Sequence, residues 1–353
     1  MSTPQTLSFG ELFSGPGGLS LGLKSAGFAP TWAVDIDEWA CATYNRNLGR
    51  HAICAKVEEV DFGDLPHVGG LAFGFPCNDF SQVGEQRGTG GYFGKLYQEA
   101  IRAVEEVSPD WFIAENVPGL LASDGHGIME LLAASGQGYR VSVHLYRFER
   151  YGVPQRRTRL IAVGIRQDLG LHFTPPAPTH RTPVPVKEAF EGVEEVAFNN
   201  ERTRHTKRVI EMLSHIPEGE NAWYEGLPER LRLNVNGCKI SLIYRRLKRD
   251  EPSYTVTGSG GGGTHMYHYD EPRALTNRER ARLQAFPDDF VFEGPKEAVR
   301  KQIGMAVPPL AAQRIGEALL ATLRKRSYAS IAPSLGLLEP GVAGPKQLEI
   351  AGL

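Results

Sequence analysis

The sequence predicts an α/β protein, a mostly parallel sheet with helices on both faces, accompanied by a second, smaller domain. Three observations predict it. A strand, a glycine-rich turn and a helix open the chain over residues 7–26; an acid, Asp35, ends the next strand; strands then alternate with helices as far as Ile165. A helix N-terminus after a glycine-rich turn offers free N–H groups to a ligand, and a carboxylate one strand later is placed to meet ribose hydroxyls. Alternation of this kind calls for crossover connections, hence parallel strands.

The elements follow in order. Leu7–Phe13 reads as a strand, Ser14-Gly15-Pro16-Gly17-Gly18 as the turn and Leu19–Ala26 as an amphipathic helix. Thr31–Val34 is the second strand, with Asp35 facing the ribose and Ile36 packing on a purine; a helix over Glu38–Leu48 and a short strand near His51–Cys54 come next. Leu71-Ala72-Phe73 is a buried strand that delivers Pro76 and Cys77 to a rigid turn, followed by a glycine-rich stretch to Gly94 that reads as a mobile lid. A helix over Lys95–Val107, a strand over Trp111–Ala114 ending in Glu115-Asn116, a helix over Gly127–Ser135 and strands over Arg140–Phe148 and Leu160–Ile165 complete the alternation. Glu115 then faces the same edge as Cys77, the edge at which open α/β sheets bind ligands.

From Gly170 to Tyr244 the rhythm lapses and proline becomes frequent, which defines the second domain; 1–169 and 245–326 form the main one. Regular structure is expected to resume at Thr255-Val256. Gly258–Gly263 is a hinge or close-approach loop, because no Lys-Ser/Thr follows to make it a phosphate loop. Thr276 and Glu279 form a capping-box pattern opening a helix that runs through Gln284, and Pro309–Leu323 is an amphipathic helix. The Gly-, Pro- and Ala-rich tail, 327–353, reads as loosely ordered.

Composition bounds the function. The chain has 353 residues, 41% hydrophobic, with a net charge of −2, enough for a large core and a smaller companion. No apolar run is long enough for a membrane span and no signal peptide is recognisable, so a cytoplasmic protein with no membrane partner is expected. Four cysteines without a CxxC pair indicate neither a metal site nor a disulfide framework. The charge is not that of a wholly basic nucleic-acid binder, but cations cluster at Arg156, Arg157 and Arg159, at 202–208 and at 245–249. Such clusters suffice to track phosphates from a locally basic cleft.

A free cysteine is more often buried and inert than reactive. Cys77 is singled out by its company: LFSGPGG, VDIDEWA, GFPCNDFS, ENV, QRRTR, RRLKRDEPSYTV, RALTNRERARLQAFPDDF and QIGMAVPP, in that order. Together these segments resemble the DNA cytosine-5 methyltransferases of prokaryotes and phages, over Leu7 to about Leu320. The resemblance implies a Rossmann-like methyltransferase domain dependent on S-adenosylmethionine, releasing S-adenosylhomocysteine and using no metal. It makes 170–244 a target-recognition domain. It also implies a monomer acting on double-stranded DNA, with a restriction endonuclease as a functional counterpart that it does not stably touch.

By resemblance, Cys77 is the nucleophile that adds to cytosine carbon 6 of a flipped-out base. Glu115 holds N3 and the amine, Arg159 donates to O2, and Arg157 supports the carboxylate or a phosphate. The donor would be held by Phe13, Gly15, Pro16, Gly17, Gly18, Asp35, Ile36, Val57, Pro76, Leu96, Met305 and Ala306. DNA would be met by Asn78, Ser81, Arg87, Gln155 and Arg156. The chain departs from the family pattern at Asn78 (usually Gln), Met305 (usually Asn) and Lys56 (usually an Asp that accepts from the adenine amine). Two other readings remain at this stage: a catalytically silent DNA- or partner-binding relative, and a tRNA methyltransferase of the same fold. A nicotinamide dehydrogenase would leave Cys77 and the arginines without a purpose.

Overall fold

The computed structural model of the protein describes residues 7–75, 96–122, 125–234, 240–258 and 262–340. Its centre is one eight-stranded sheet. The chain runs β1 (Ser8–Leu12), α1 (Gly18–Ser25), β2 (Ala29–Asp35), α2 (Glu38–Asn47), β3 (Ala52–Cys54), β4 (Gly70–Phe73), α3 (Tyr97–Val107), β5 (Trp111–Asn116), α4 (Gly125–Ala134), β6 (Tyr139–Arg147) and β7 (Thr158–Arg166). After these come α5 (Val186–Ala189), α6 (Lys207–His215), α7 (Asn277–Leu283), α8 (Lys296–Met305), α9 (Pro309–Leu323) and β8 (Leu337–Leu338). The strand order is β3-β2-β1-β4-β5-β7-β6-β8.

The mostly parallel sheet expected is borne out, with an antiparallel edge. β3, β2, β1, β4 and β5 are mutually parallel, whereas β5–β7, β7–β6 and β6–β8 are antiparallel. Only ten residues join β6 to β7, too few for a crossover, so these two strands form a hairpin. The central strands are apolar because both faces are covered: Phe9, Leu12, Leu71, Phe73, Trp111 and Phe112 are each fully buried. One face carries Leu71, Phe73 and Phe112 against α3 and α4; the other carries Phe9, Trp111 and Ile113 against α1 and α9.

Three expectations change. The tail is ordered as far as Pro340: β8 pairs with β6, Ser334 N donates to His144 Nδ1 at 2.9 Å, and Tyr328 Oη donates to Thr174 O at 2.7 Å. Pairing an open sheet edge outweighs the low propensity of a Gly/Pro-rich tail; residues 341–353 lie outside the described ones. Thr255-Val256 forms no strand; the nearest pairing is an isolated bridge between Gln155 and Ser253. The boundary at 244 also cuts through a core. Among the described residues 170–244 no strand forms, but Met212, Leu213, Leu227 and Leu231 pack with Tyr267 and Ala274, and Arg246 donates to the carbonyls of Leu213, Ile216, His268 and Tyr269. Packing therefore joins residues 170–244 to residues up to about 275.

Candidate active site

The site lies beyond the C-terminal ends of β1, β2, β4 and β5. β1 leads into a turn with Phe13, Gly15 and Gly17 at φ 54°, 53° and 91°. Gly15 N donates to Asp35 Oδ2 at 2.7 Å and Ser14 N to Val34 O at 3.2 Å, which staple the turn to the end of β2. Asp35 Oδ1 accepts from Asp37 N at 2.8 Å. The sequence reading gave Asp35 to a ligand alone, and here it also holds the turn. A carboxylate offers about four acceptor positions, so two remain for hydroxyls. Burial raises its pKa, against the lowering effect of the two N–H donors.

These elements enclose a cavity of about 220 Å³. Phe13, Gly15, Pro16, Asp35, Ile36, Val57, Leu96, Met305 and Ala306, all expected at the donor site, line it. Gly17 and Gly18 do not. A Cβ on Gly17 would come within 2.4 Å of Leu48, and one on Gly18 within 2.3 Å of Val307 O; these glycines let α1 pack closely. Pro76 lies outside the described residues. α8, which the sequence reading did not recognise as a helix, supplies the far wall with Lys301, Gln302 and Met305. Lys301 Nζ bridges the rim to Asp37 Oδ2 at 2.9 Å. Lys56 also lines the wall, half-exposed, its Nζ 3.6 Å from Glu59 Oε1.

Glu11, within β1, was not anticipated, although a lone charge in the apolar run Ser8–Leu12 is a signal. It is 3% exposed, lines the cavity and accepts from Ser20 Oγ, which also contacts Tyr44 Oη at 3.0 Å. Burial pushes its carboxyl up to about 8.

The cavity suits an adenosyl ligand on its own terms. Ser14 Oγ is buried there without a hydrogen-bond partner among the described residues, and such a group calls for one. Ile36 and Met305 are large apolar side chains, 65% and 57% exposed, both on the lining. Among the described residues no group of three His, Cys, Asp or Glu side chains is arranged for a metal.

Glu115 is shared between this cavity and the sheet edge. Arg159 Nε meets Glu115 Oε1 at 2.9 Å, both side chains about one-seventh exposed. The antiparallel register pairs Glu115 with Ile161, so Arg159, two residues along, lies diagonally on the same face. β4 brings the chain alongside: a side chain on Gly74 would come within 3.1 Å of Glu115 Oε2, and Asn116 Nδ2 donates to Phe75 O at 3.2 Å. Cys77, Asn78, Ser81 and Arg87 lie outside the described residues.

Two assignments are corrected. Arg157 is 2% exposed and donates to the carbonyls of Val256, Gly304 and Ala306, so it cannot meet a phosphate, and the support given to Glu115 comes from Arg159. Gln155 is fully buried, donating to Leu283 O and Gln284 Oε1 and accepting from Val256 N, and is closed to DNA. Arg156 stays at the surface, 2.9 Å from Glu251. The 245–249 run is similarly committed: Arg246 is buried, Lys248 pairs with Glu251, and Arg249 with Glu218.

Residues 7–321 match the family described as C-5 cytosine-specific DNA methylase. The chain is 52% identical to Type II methyltransferase M.BbvI of Brevibacillus brevis, over 91% of this chain and 93% of that protein. It is 41% identical to M.NgoFVII of Neisseria gonorrhoeae, over 90% and 86%. Among solved structures it resembles a DNA modification methyltransferase encoded within an E. coli prophage, with a TM-score of 0.73, 26% identity, and 90% and 99% coverage. The S. pombe Dnmt2 methyltransferase, at 17% identity and a TM-score of 0.60 over 89% and 98% of the two chains, shares the fold.

Proposed function

The chain belongs to the C-5 cytosine-specific DNA methylases and is an S-adenosylmethionine-dependent DNA cytosine-5 methyltransferase; from that premise we propose that it modifies one cytosine within a specific duplex sequence, as the modification half of a Type II restriction–modification pair. It acts as a monomer on DNA in the cytoplasm, the cognate endonuclease making no stable contact with it. The observation that carries the reading is the Glu115–Arg159 pair on the rim of the donor cavity, where β4 ends.

Cytosine carbon 5 is too weak a nucleophile to accept a methyl group unaided. Addition of the Cys77 thiolate to carbon 6 makes it enamine-like, which requires the base to leave the stack. Density pushed onto N3 is met by a proton held at Glu115. Arg159 Nε fixes that carboxyl and Nη1 donates to Thr158 O at 2.8 Å, leaving Nη2 to donate to the cytosine O2. When bound, S-adenosylmethionine supplies the electrophilic methyl group. Asp35 would accept from its ribose hydroxyls, Ser14 Oγ, without a partner among the described residues, would take one from it, and Ile36 and Met305 would cover its apolar surface. A base such as water then takes the carbon-5 proton, and the carbon 6–sulfur bond breaks to release the Cys77 thiolate.

The test is chemical. Cys77→Ser should abolish methyl transfer while duplex binding persists, because the oxygen is a poorer nucleophile of similar size. The unsubstituted enzyme should form a denaturation-resistant adduct with duplex carrying 5-fluorocytosine at the target, since fluorine blocks the final elimination. Methylation by the mutant, or no adduct under turnover conditions, would remove Cys77 from the mechanism.

A further inference from the structure

Neither Cys41 nor Cys54 takes part in the chemistry above, and they lie thirteen residues apart in a chain with no CxxC pair. The fold brings them together behind the donor cavity. Cys54 ends β3, in register with Asp35 at the end of β2. Its Sγ lies 3.8 Å from Ile36 O, while Cys41 Sγ, on α2, lies 3.4 Å from Asp35 O and 3.9 Å from Ile53 O. Both sulfurs therefore rest on the carbonyls of two consecutive residues. Cys54 is exposed and Cys41 buried. Burial, then Asp35, then the neighbouring Cys54 push the Cys41 thiol up to about 12, so Cys41 does not react first.

We propose that Cys41 and Cys54 form a modification site for low-molecular-weight disulfides of the glutathione type, closing to a Cys41–Cys54 bridge that weakens methyl-donor binding. The Cys54 thiolate attacks one sulfur of the small disulfide, whose S–S bond breaks and releases one thiolate. Cys41 then attacks the Cys54 sulfur, losing its proton to the departing group and expelling the second thiol. Two protein thiols are oxidised by two electrons and one small disulfide is reduced to two thiols.

The consequence for the donor follows from position and rests on the cavity reading above. Asp35, Ile36 and Asp37 line the cavity on one side of the pair, and Ala55, Lys56 and Val57 follow Cys54 on the other. A disulfide needs its sulfurs at about 2.05 Å. Closing it draws α2 and the end of β3 together across the 35–36 peptide and displaces the ribose carboxylate and Ile36.

The experiment exposes the full-length protein to graded ratios of glutathione disulfide to glutathione. A non-reducing peptide map then locates cross-links, and S-adenosylhomocysteine affinity is measured by calorimetry before oxidation, after it, and after dithiothreitol. The expected result is a 41–54 linked peptide and roughly tenfold weaker binding, the scale of one lost hydrogen bond, reversed by dithiothreitol. Cys41→Ser should stop at the Cys54–glutathione adduct, and Cys54→Ser should keep the reduced affinity throughout, which separates the effect from oxidation of Cys77. A map in which Cys54 is modified but never linked to Cys41 overturns the proposal, as does a linked protein of unchanged affinity. Failure of the reduced protein to bind S-adenosylhomocysteine would strike the donor-site reading, while the map still decides the bridge.

Discussion

At the residue scale, two carboxylates show how burial sets chemistry. Glu11 stays protonated to about pH 8 when folded and ionises near 4.5 when unfolded. Between these values the folded state binds the extra proton, so this contribution to stability declines as pH rises from about 4.5 to 8; Asp35, also raised, has the same sign. Glu11→Gln should flatten that slope in urea denaturation across the range, and an unchanged slope would place the titration elsewhere. Glu115 is held in place by Arg159. Arg159→Met keeps bulk but removes the cation that orients the carboxyl and the donor to O2. We expect kcat to fall about 10²–10³-fold, the scale of losing one preorganised donor, and stability to fall too, because the carboxylate left unpaired is only about one-seventh exposed. A kcat that holds once the variant is shown to be folded at the assay temperature would make the pair structural.

At the element scale, the segment before β7 and the end of α8 meet through buried polar contacts. Arg157, just before β7, ties Val256 to Gly304 and Ala306 around the C-terminus of α8. Arg157→Met leaves three buried carbonyls without that donor and should cost about 3 kcal/mol, read as a lower denaturation midpoint. Gly304 makes this junction possible: a Cβ there would lie 2.0 Å from Gly258 N and 2.1 Å from Thr257 C, both backbone atoms. α7 was legible in advance because its capping box is local, with Thr276 accepting from Glu279 N and Glu279 from Thr276 N. α9 was legible through its apolar stripe. α8 was not: it opens after Pro295 with no side-chain cap, and its buried Val299, Gln302 and Ile303 include a polar residue.

At the scale of the whole molecule, residues 170–244 share a buried core with residues 246–274, which a cut at 244 divides. Exchanging residues 170–244 with a relative of different specificity separates Met212, Leu213 and Leu231 from Tyr267, and Arg246 from two of its four carbonyl acceptors, Leu213 and Ile216. We expect that chimera to unfold at a clearly lower temperature, by about 2 °C for each kcal/mol lost. Exchange of 170–275 should keep stability and transfer the target sequence, read by sequencing of the methylated DNA. An active 170–275 chimera that keeps its original target would place specificity elsewhere.

What the sequence determined by itself was the local layer: the glycine-rich turn, Asp35 closing the second strand, Glu115 ending the fifth, the capped helix and the order of motifs that carries the family. Each depends on neighbours a few residues away, whose periodicity and turn chemistry are written in one segment. What only the tertiary structure decided was partnership. Arg157 and Arg159 are two residues apart in one motif, but only the register of β7 against β5 shows which of them meets Glu115. Gln155 looked exposed until segments more than a hundred residues later closed over it. The tail looked loose until β6 offered an open edge, and Cys41 met Cys54 only because β3 pairs with β2. Such contacts join segments whose separate patterns are silent about one another, and their free energy appears only when both are buried together.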